Sequence, residues 1–251
     1  MALYRSRGYP VKLISVTDGA RGHQSESGAA LTRRRRAEAD AAARVIGAEC
    51  AVWEFPDGRL ELGLELRERI MSEMRAYMPD LVITHRPYDY HPDHRAVGQA
   101  VMDAGYLVTV PAIVPNLPAL PAPPVIAQVG DFFTRPIALR PDIVIDVEDQ
   151  LSTLAQMLDC HASQVYEWLP YTRGEVAEVP SNASERLAWL CAQVKAQKRA
   201  TAERFQARLA AVFDAASATP EYVEVYEISE YGCSLDPERR ARLFPWHGRR
   251  R

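Results

Sequence analysis

"PDLVITHRPYDYHPDHRAV", residues 79–97, decides how the fold is read. Pro79 stops whatever precedes it, and "LVITH" is an apolar run with the length of a buried strand. Behind the stretch, Ala96, Val97, Ala100, Val101 and Ala104 recur at helical spacing. Between strand and helix lies a bend that holds His85, His91, Asp93 and His94.

The same order is found upstream. "VKLISV" (11–16) reads as a strand that stops at the glycine-containing loop "TDGARG". A helix follows from Arg33 to Ile46, with Ala37, Ala41, Ala42, Val45 and Ile46 as its apolar positions and Gly47 as its stop. "CAVWEF" is a strand closed by "PDG", and Leu66, Ile70, Met71, Met74 and Met78 mark the next helix. Alternation of this kind predicts an α/β fold with a Rossmann-like, mostly parallel sheet and helices on both faces. Ligands of such sheets sit beyond the carboxyl ends of the strands. "TDGARG", "PDG" and the histidine bend are therefore expected on one rim.

Downstream, "VPAIVPNLPALPAPP" (110–124) has too much proline for a helix or a central strand and is expected as a surface excursion, a lid or an oligomer contact. "VIAQVGDFF" and "PDIVIDV" resume the strands, residues 149–163 read as helix up to "CHASQ", and helix is again expected from about Glu185 to Ala215. "YVEVYEI" alternates as a late strand, and the basic end "PERRARLFPWHGRRR" is expected to fray. We read residues 1–251 as a single α/β domain with the excursion at 110–124 and a helix–strand extension from about 185.

Composition narrows the function classes. The chain of 251 residues is 47% hydrophobic and 25% charged, enough to bury a core without staples and too apolar for disorder. A formal net charge of -3 argues against a dedicated nucleic-acid surface. Cys50, Cys160, Cys191 and Cys233 form no CxxC pair and read as reduced, buried thiols. No apolar run reaches the roughly 18 residues of a membrane span, and "MALYRSRGYP" lacks the apolar core of a signal peptide, so a cytoplasmic location is the expectation. Oligomeric state is left open.

His-x-x-His at a helix start sets two imidazoles about one turn apart, near enough to address one small site. A catalytic zinc takes about three protein ligands and leaves a position for water. One imidazole is then free to hold metal while the other, oriented by Asp93, carries a proton or stabilises an oxyanion. The plainer account makes "HPDH" a helix start, capped by Asp93 and stiffened by Pro92. His85 ends its strand and has a structural account as well, as does His161 in "CHASQ". A local zinc site built from His85, His91 and His94 is a further option.

The chain resembles the PIG-L / LmbE-like family of zinc-dependent N-deacetylases. The resemblance rests on "VTDGARG", "RRAEADAAARVIG", "FPDG", "PDLVITHRPYDYHPDHRAV" and "CHASQ", in that order, between about Gly8 and Gln164. It implies removal of an acetyl group from an N-acetylated, amino-sugar-like small molecule, with Zn2+ as cofactor. By the same resemblance His94 is a zinc ligand, and His91 stabilises the oxyanion or protonates the leaving amine with Asp93 tuning it. Arg35 and Asp57 match substrate-binding positions. Arg35 is also one of four consecutive arginines on a solvated helix, and Asp57 has a turn-forming role open to it.

In one respect the sequence departs from that family. The His-Pro-Asp-Asp stretch that supplies the family's other zinc ligands and its general base has no match, because the one "HPD" here is residues 91–93. "MALYRSRG" resembles the second half of the helix that follows that stretch. The expectation is an incomplete zinc site, a missing first strand, weak zinc binding and no deacetylase activity in the chain expressed alone. A non-catalytic sugar- or protein-binding relative is the alternative. A nucleotide-binding domain is disfavoured, since neither a Walker lysine nor GxGxxG is present.

Overall fold

In chain order the strands are β1 (Lys12–Thr17), β2 (Glu49–Phe55), β3 (Leu81–Thr84), β4 (Val125–Val129), β5 (Ile143–Asp146) and β6 (Val223–Ile228). The helices are α1 (Ala2–Arg5), α2 (Gly28–Ile46), α3 (Leu64–Tyr77), α4 (Pro92–Leu107), α5 (Leu151–Asp159), α6 (Leu169–Arg173), α7 (Ala183–Arg204), α8 (Gln206–Val212) and α9 (Pro237–Leu243). This computed structural model describes residues 1–213 and 219–249. The expected α/β class is the one observed. Two compact units are formed, Met1–Leu60 with Val147–Ala200 and Glu61–Asp146 with Thr201–Arg251.

In the first unit β1 and β2 pair in parallel, Lys12 opposite Glu49 and Ser15 opposite Val52, and the register shifts before Thr17. Such an irregularity bends a strand, here where "TDGARG" departs. Helix α2 lies against β2 and α5. Its buried line is Leu31, Glu38, Ala42 and Ala43; Ala42 was expected inside, whereas Ala37 and Val45 are exposed, so the sequence pattern caught only part of the inner face. The reason is Glu38. Its carboxylate accepts both the backbone N–H of Ser163 (2.9 Å) and the Ser163 hydroxyl (2.6 Å), which makes a charged residue inward-facing. Gly47, at φ +66°, closes the helix as predicted. Beyond α5 the chain winds into a π-helical turn, Ser163–Trp168, packed through Val165 and Tyr166 on Leu190.

The second unit contains a four-stranded sheet in the order β3-β4-β6-β5. β3 and β4 are parallel, and β6 inserts antiparallel between β4 and β5. Every residue of β5 is buried, and Val144, Val223 and Val225 pack with Leu209 and Phe213 into one cluster. Burying side chains of this size stabilises by roughly 1.5–3 kcal/mol each. Helices α3 and α4 pack on each other, and Gly98 lets α4 press on the end of β3. A Cβ at Gly98 would stand 2.6 Å from the carbonyl oxygen of His85.

Several expectations need correction. Met78 is exposed and left-handed (φ 52°), so it ends α3 instead of extending its buried stripe. The basic end does not fray over its described part: it forms α9 and buries Leu243, Phe244 and Trp246, three large apolar residues that outweigh the arginines beside them. Arg250 and Arg251 lie outside the described residues, as do the last two residues of the helix expected to run to Ala215. The four cysteines are free but half-buried, not buried.

The proline-rich stretch has no helix or strand, as expected, and an unforeseen organiser. Arg75, 3% exposed, donates to the carbonyl oxygens of Val108 (3.0 Å), Val110 (2.7 Å), Val114 (2.8 Å) and Leu117 (3.1 Å), and to that of Ile113. One guanidinium thus satisfies carbonyls at the end of α4 and folds the following loop around itself. Among the described residues no helix is long and apolar enough to cross a membrane.

Candidate functional site

The loop from His85 to His94 is anchored by its own second residue. Arg86, 2% exposed, pairs with both carboxylate oxygens of Asp131 (3.1 Å each), approaches Glu227 (3.3 Å) and donates to the carbonyl of Ile137 (2.8 Å). A buried cation needs such partners, and these come from just beyond β4 and from β6. The loop therefore leaves β3 in a fixed direction. Its far end is fixed by helix capping: His91 is the N-cap of α4, Pro92 follows at the first position, and Asp93 lies buried in the first turn.

Within the loop the hydrogen bonds set the state of each imidazole. His91 Nδ1 accepts from the backbone N–H of Asp93 (3.2 Å), so the ring proton of neutral His91 sits on Nε2. His94 is arranged the other way. Its Nδ1 faces Asp89 Oδ1 at 3.1 Å, which places the proton on Nδ1 and leaves the Nε2 lone pair open. Asp89 Oδ1 also accepts the backbone N–H of His91 (2.8 Å), tying the two histidines to one carboxylate. His85 stacks on His94 with centroids 4.1 Å apart and planes 5° from parallel. Burial, then the neighbouring His94 and His91 charges, hold His85 down to about 4.

His85, Asp89 and His94 place ligand atoms within 4.8 Å of one another. The parallel rings limit what that trio can do as it stands, because in-plane lone pairs of stacked imidazoles do not converge on one ion. His94 through Nε2 is the ligand-ready group, with Asp89 in the supporting role that carboxylates play toward metal-binding histidines. Tyr90 stands edge-on to both His91 and His94 at 5.8 Å.

In the first unit two sequence motifs meet. Asp18 Oδ1 accepts the backbone N–H of Asp57 (3.1 Å), and Asp57 Oδ2 accepts that of Arg21 (3.1 Å), which braids "TDGARG" to "PDG". Arg35 lies under this loop. It donates to the carbonyl of Gly22, and a Cβ at Gly19 would meet its side chain at 2.8 Å. Its Nε is buried without a hydrogen-bond partner, and burial lowers its proton affinity. Gly19, at φ +66°, is where the loop needs glycine.

A second polar cluster was not foreseen. His23 Nδ1 accepts the backbone N–H groups of Ser25 (3.2 Å) and Glu26 (3.0 Å), and its Nε2 donates to Glu167 (2.8 Å). Arg34 bridges Glu26 (2.8 Å) and Glu167 (3.0 Å). The Arg34 guanidinium, then His23, hold the Glu167 carboxyl below its ordinary range against the opposing effect of burial. His161 is half-buried, and burial lowers its proton affinity with the Glu38 charge opposing.

The structure thus brings His91, Asp93 and His94 together with His85 and with Asp89, which sequence reasoning passed over. Its signal was present: an aspartate two residues before an N-cap histidine is a turn former. Arg86 and the His23–Glu167–Arg34 cluster had no such signal, since their partners are distant in the chain.

Residues 1–105 match the family described as PIG-L: GlcNAc-PI de-N-acetylase. The chain is 29% identical over 180 residues to diacetylchitobiose deacetylase of Thermococcus kodakarensis, covering 66% of this chain and 65% of that protein. It is 25% identical over 183 residues to 4-oxalmesaconate hydratase of Pseudomonas putida, covering 69% and 70%. Among solved structures, N,N'-diacetylchitobiose deacetylase from Pyrococcus horikoshii shares the fold with a TM-score of 0.66 at 21% identity, over 92% of this chain and 76% of that one. The 4-carboxy-2-hydroxymuconate hydratase from Pseudomonas putida does so with a TM-score of 0.68 at 20% identity, over 94% and 90%. A zinc-inhibited form of a teicoplanin deacetylase matches with a TM-score of 0.55 at 16% identity, over 91% of each chain. The likeness to the PIG-L family covers the first 105 residues of this chain.

Proposed function

We propose that the chain serves metal-dependent hydrolysis of an N-acetyl group on a small, amino-sugar-like molecule. One observation carries the reading: two histidines three residues apart are held in opposite states, His94 with an open Nε2 lone pair and His91 with Nε2–H. A hydrolytic site that joins a metal to a proton donor needs that pair. The donor set suits zinc, since an imidazole backed by a carboxylate is a common zinc ligand. When bound, zinc supplies Lewis acidity toward the amide carbonyl and toward water.

The residues of this chain have the remaining tasks. His94 would hold the ion through Nε2, with Asp89 keeping the ring in that tautomer. His91 would donate a hydrogen bond from Nε2–H to the carbonyl oxygen as that oxygen gains negative charge, keeping its proton, and the proton given up by the attacking water would pass to the departing nitrogen. Asp93 tunes His91 through its backbone N–H and its buried charge. Acetate and a free amine are the products. For Arg35 and Asp57 a substrate-binding role is proposed, supported by the buried, unpartnered Nε of Arg35 and by the loop that both residues hold.

A second reading comes from the hydratase likenesses: addition of water across a carbon–carbon double bond, with the same histidines handling protons. The test is to load the full chain with Zn2+ and measure acetate release from diacetylchitobiose and N-acetylglucosamine, beside water addition to a 2-hydroxymuconate-type acid. Zinc-dependent acetate release that His91→Ala abolishes would support the reading and replace the expectation of an inactive chain. Zinc uptake with sugar binding and no turnover would instead support a non-catalytic relative, and hydration alone would replace the deacetylase reading.

A further inference from the structure

We propose that the second unit carries an anion-binding cleft, lined by Arg140, Arg208 and Arg240, that takes a small molecule bearing a phosphate or carboxylate group. The cleft has a volume of about 400 Å³ and shares no residue with the histidine loop. Its three arginines come from separate elements: the loop before β5, helix α8 and helix α9. Convergence from three directions distinguishes it from a run of like charges on one solvated helix.

The hydrogen-bond inventory shows which donors are left for a ligand. Arg208 is anchored through Nε to the carbonyl of Pro141 (2.9 Å) and through Nη2 to that of Asp142 (3.1 Å), which fixes its guanidinium and leaves Nη1 unassigned. Arg140 uses Nε on Asp142 Oδ1 (3.0 Å), leaving both terminal nitrogens. Arg240 has no side-chain partner among the described residues and contributes its whole fork. Asp142 offers little repulsion, because its carboxylate is occupied by Arg140 and by the backbone N–H of Ile228 (2.9 Å).

Glu230 is the remaining carboxylate in the lining, and it lowers the net charge of the cleft without occupying an arginine. The hydroxyl of Ser234 adds a neutral donor at the same wall. Burial lowers the proton affinity of His247 and a hydrogen bond with the Val144 backbone raises it, while the charges of Arg240 and Arg208 both lower it, so the two guanidinium groups act on one region. Planar forks matched to a planar or tetrahedral anion are what arginine supplies better than lysine.

The test uses the full chain in a chloride buffer, titrated with inorganic phosphate and separately with citrate, and followed by calorimetry and thermal shift. Saturable binding is expected. Arg240→Glu, a change at an exposed position, should weaken it by about tenfold or more, and Glu230→Gln should tighten it by about two- to fivefold. Preference for phosphate assigns a phosphoryl ligand, and preference for citrate a carboxylate one. Absence of saturable binding for both anions, or affinity unchanged in Arg240→Glu with the variant's melting temperature preserved, overturns the proposal.

Discussion

Two clusters of this protein have similar ingredients and opposite chemical prospects. His23, Glu26 and Glu167 in the first unit, like His85, Asp89 and His94 in the second, bring one or two imidazoles and carboxylates to metal-like spacing. In the first, both nitrogens of His23 are taken, Nδ1 by two backbone N–H groups and Nε2 by Glu167, while Arg34 occupies the carboxylates. A metal there would have to displace a guanidinium and strip a proton from an imidazole already satisfied. In the second, Asp89 holds His94 from behind and, among the described residues, no arginine competes for the open Nε2. Proximity of ligand types is therefore a poor guide, and the direction in which lone pairs are left free is a better one.

That contrast can be broken by experiment, starting with the largest effect. Given the proposed reaction, His91→Ala should lower kcat by about two to four orders of magnitude in an acetate-release assay, with KM little changed. His23→Ala should leave kcat within a fewfold. Comparable losses from both substitutions would erase the distinction between the clusters.

Metal uptake sharpens it further. Equilibrium dialysis with Zn2+ should lose the specific site in His94→Ala and show about 10- to 100-fold weaker binding in Asp89→Asn. His23→Ala and Glu167→Gln should bind as the parent does. Retention of zinc in His94→Ala would move the site elsewhere.

A third test reads the pH dependence of stability. The folded chain keeps His85 neutral down to about 4, against an ordinary value of 6.5 in the unfolded chain. Between those two values the folded state binds fewer protons than the unfolded one, so stability rises with pH. The contribution is fully present above about pH 6.5 and disappears as pH falls through the window toward 4. Thermal denaturation at several pH values should show this slope, and His85→Asn should flatten it. An unchanged slope would mean that His85 is more exposed to water than its stacking on His94 implies.

The smallest effect belongs to the first cluster. Its Arg34–Glu167 pair is partly exposed on both sides. Glu167→Gln should therefore cost no more than about 1 kcal/mol in chemical denaturation. A loss of several kcal/mol would show that the cluster, not the packing of α2 on α5, organises that unit.

Much of the site was legible because its signals are local. The strand that ends at Thr84, the proline at the start of α4, and the His91-x-x-His94 spacing all lie within a dozen residues, and local periodicity and capping rules read them directly. The inner face of α2 was misread because Glu38 turns inward for Ser163, a partner 125 positions away. The C-terminal segment was misread for a similar reason: its arginines suggested solvent, while Leu243, Phe244 and Trp246 found a buried surface that no nearby residue announces.

The sequence by itself determined the strand–helix alternation up to α4, where the histidines cluster, and what chemistry those side chains are suited to. Only the tertiary structure decided which nitrogen of each imidazole is left free, since Asp89, the Asp93 backbone and the Arg86 anchor set that by direction as well as by spacing. Propensity and periodicity are properties of neighbouring residues, whereas lone-pair direction depends on how a loop is pinned to strands far away in the chain.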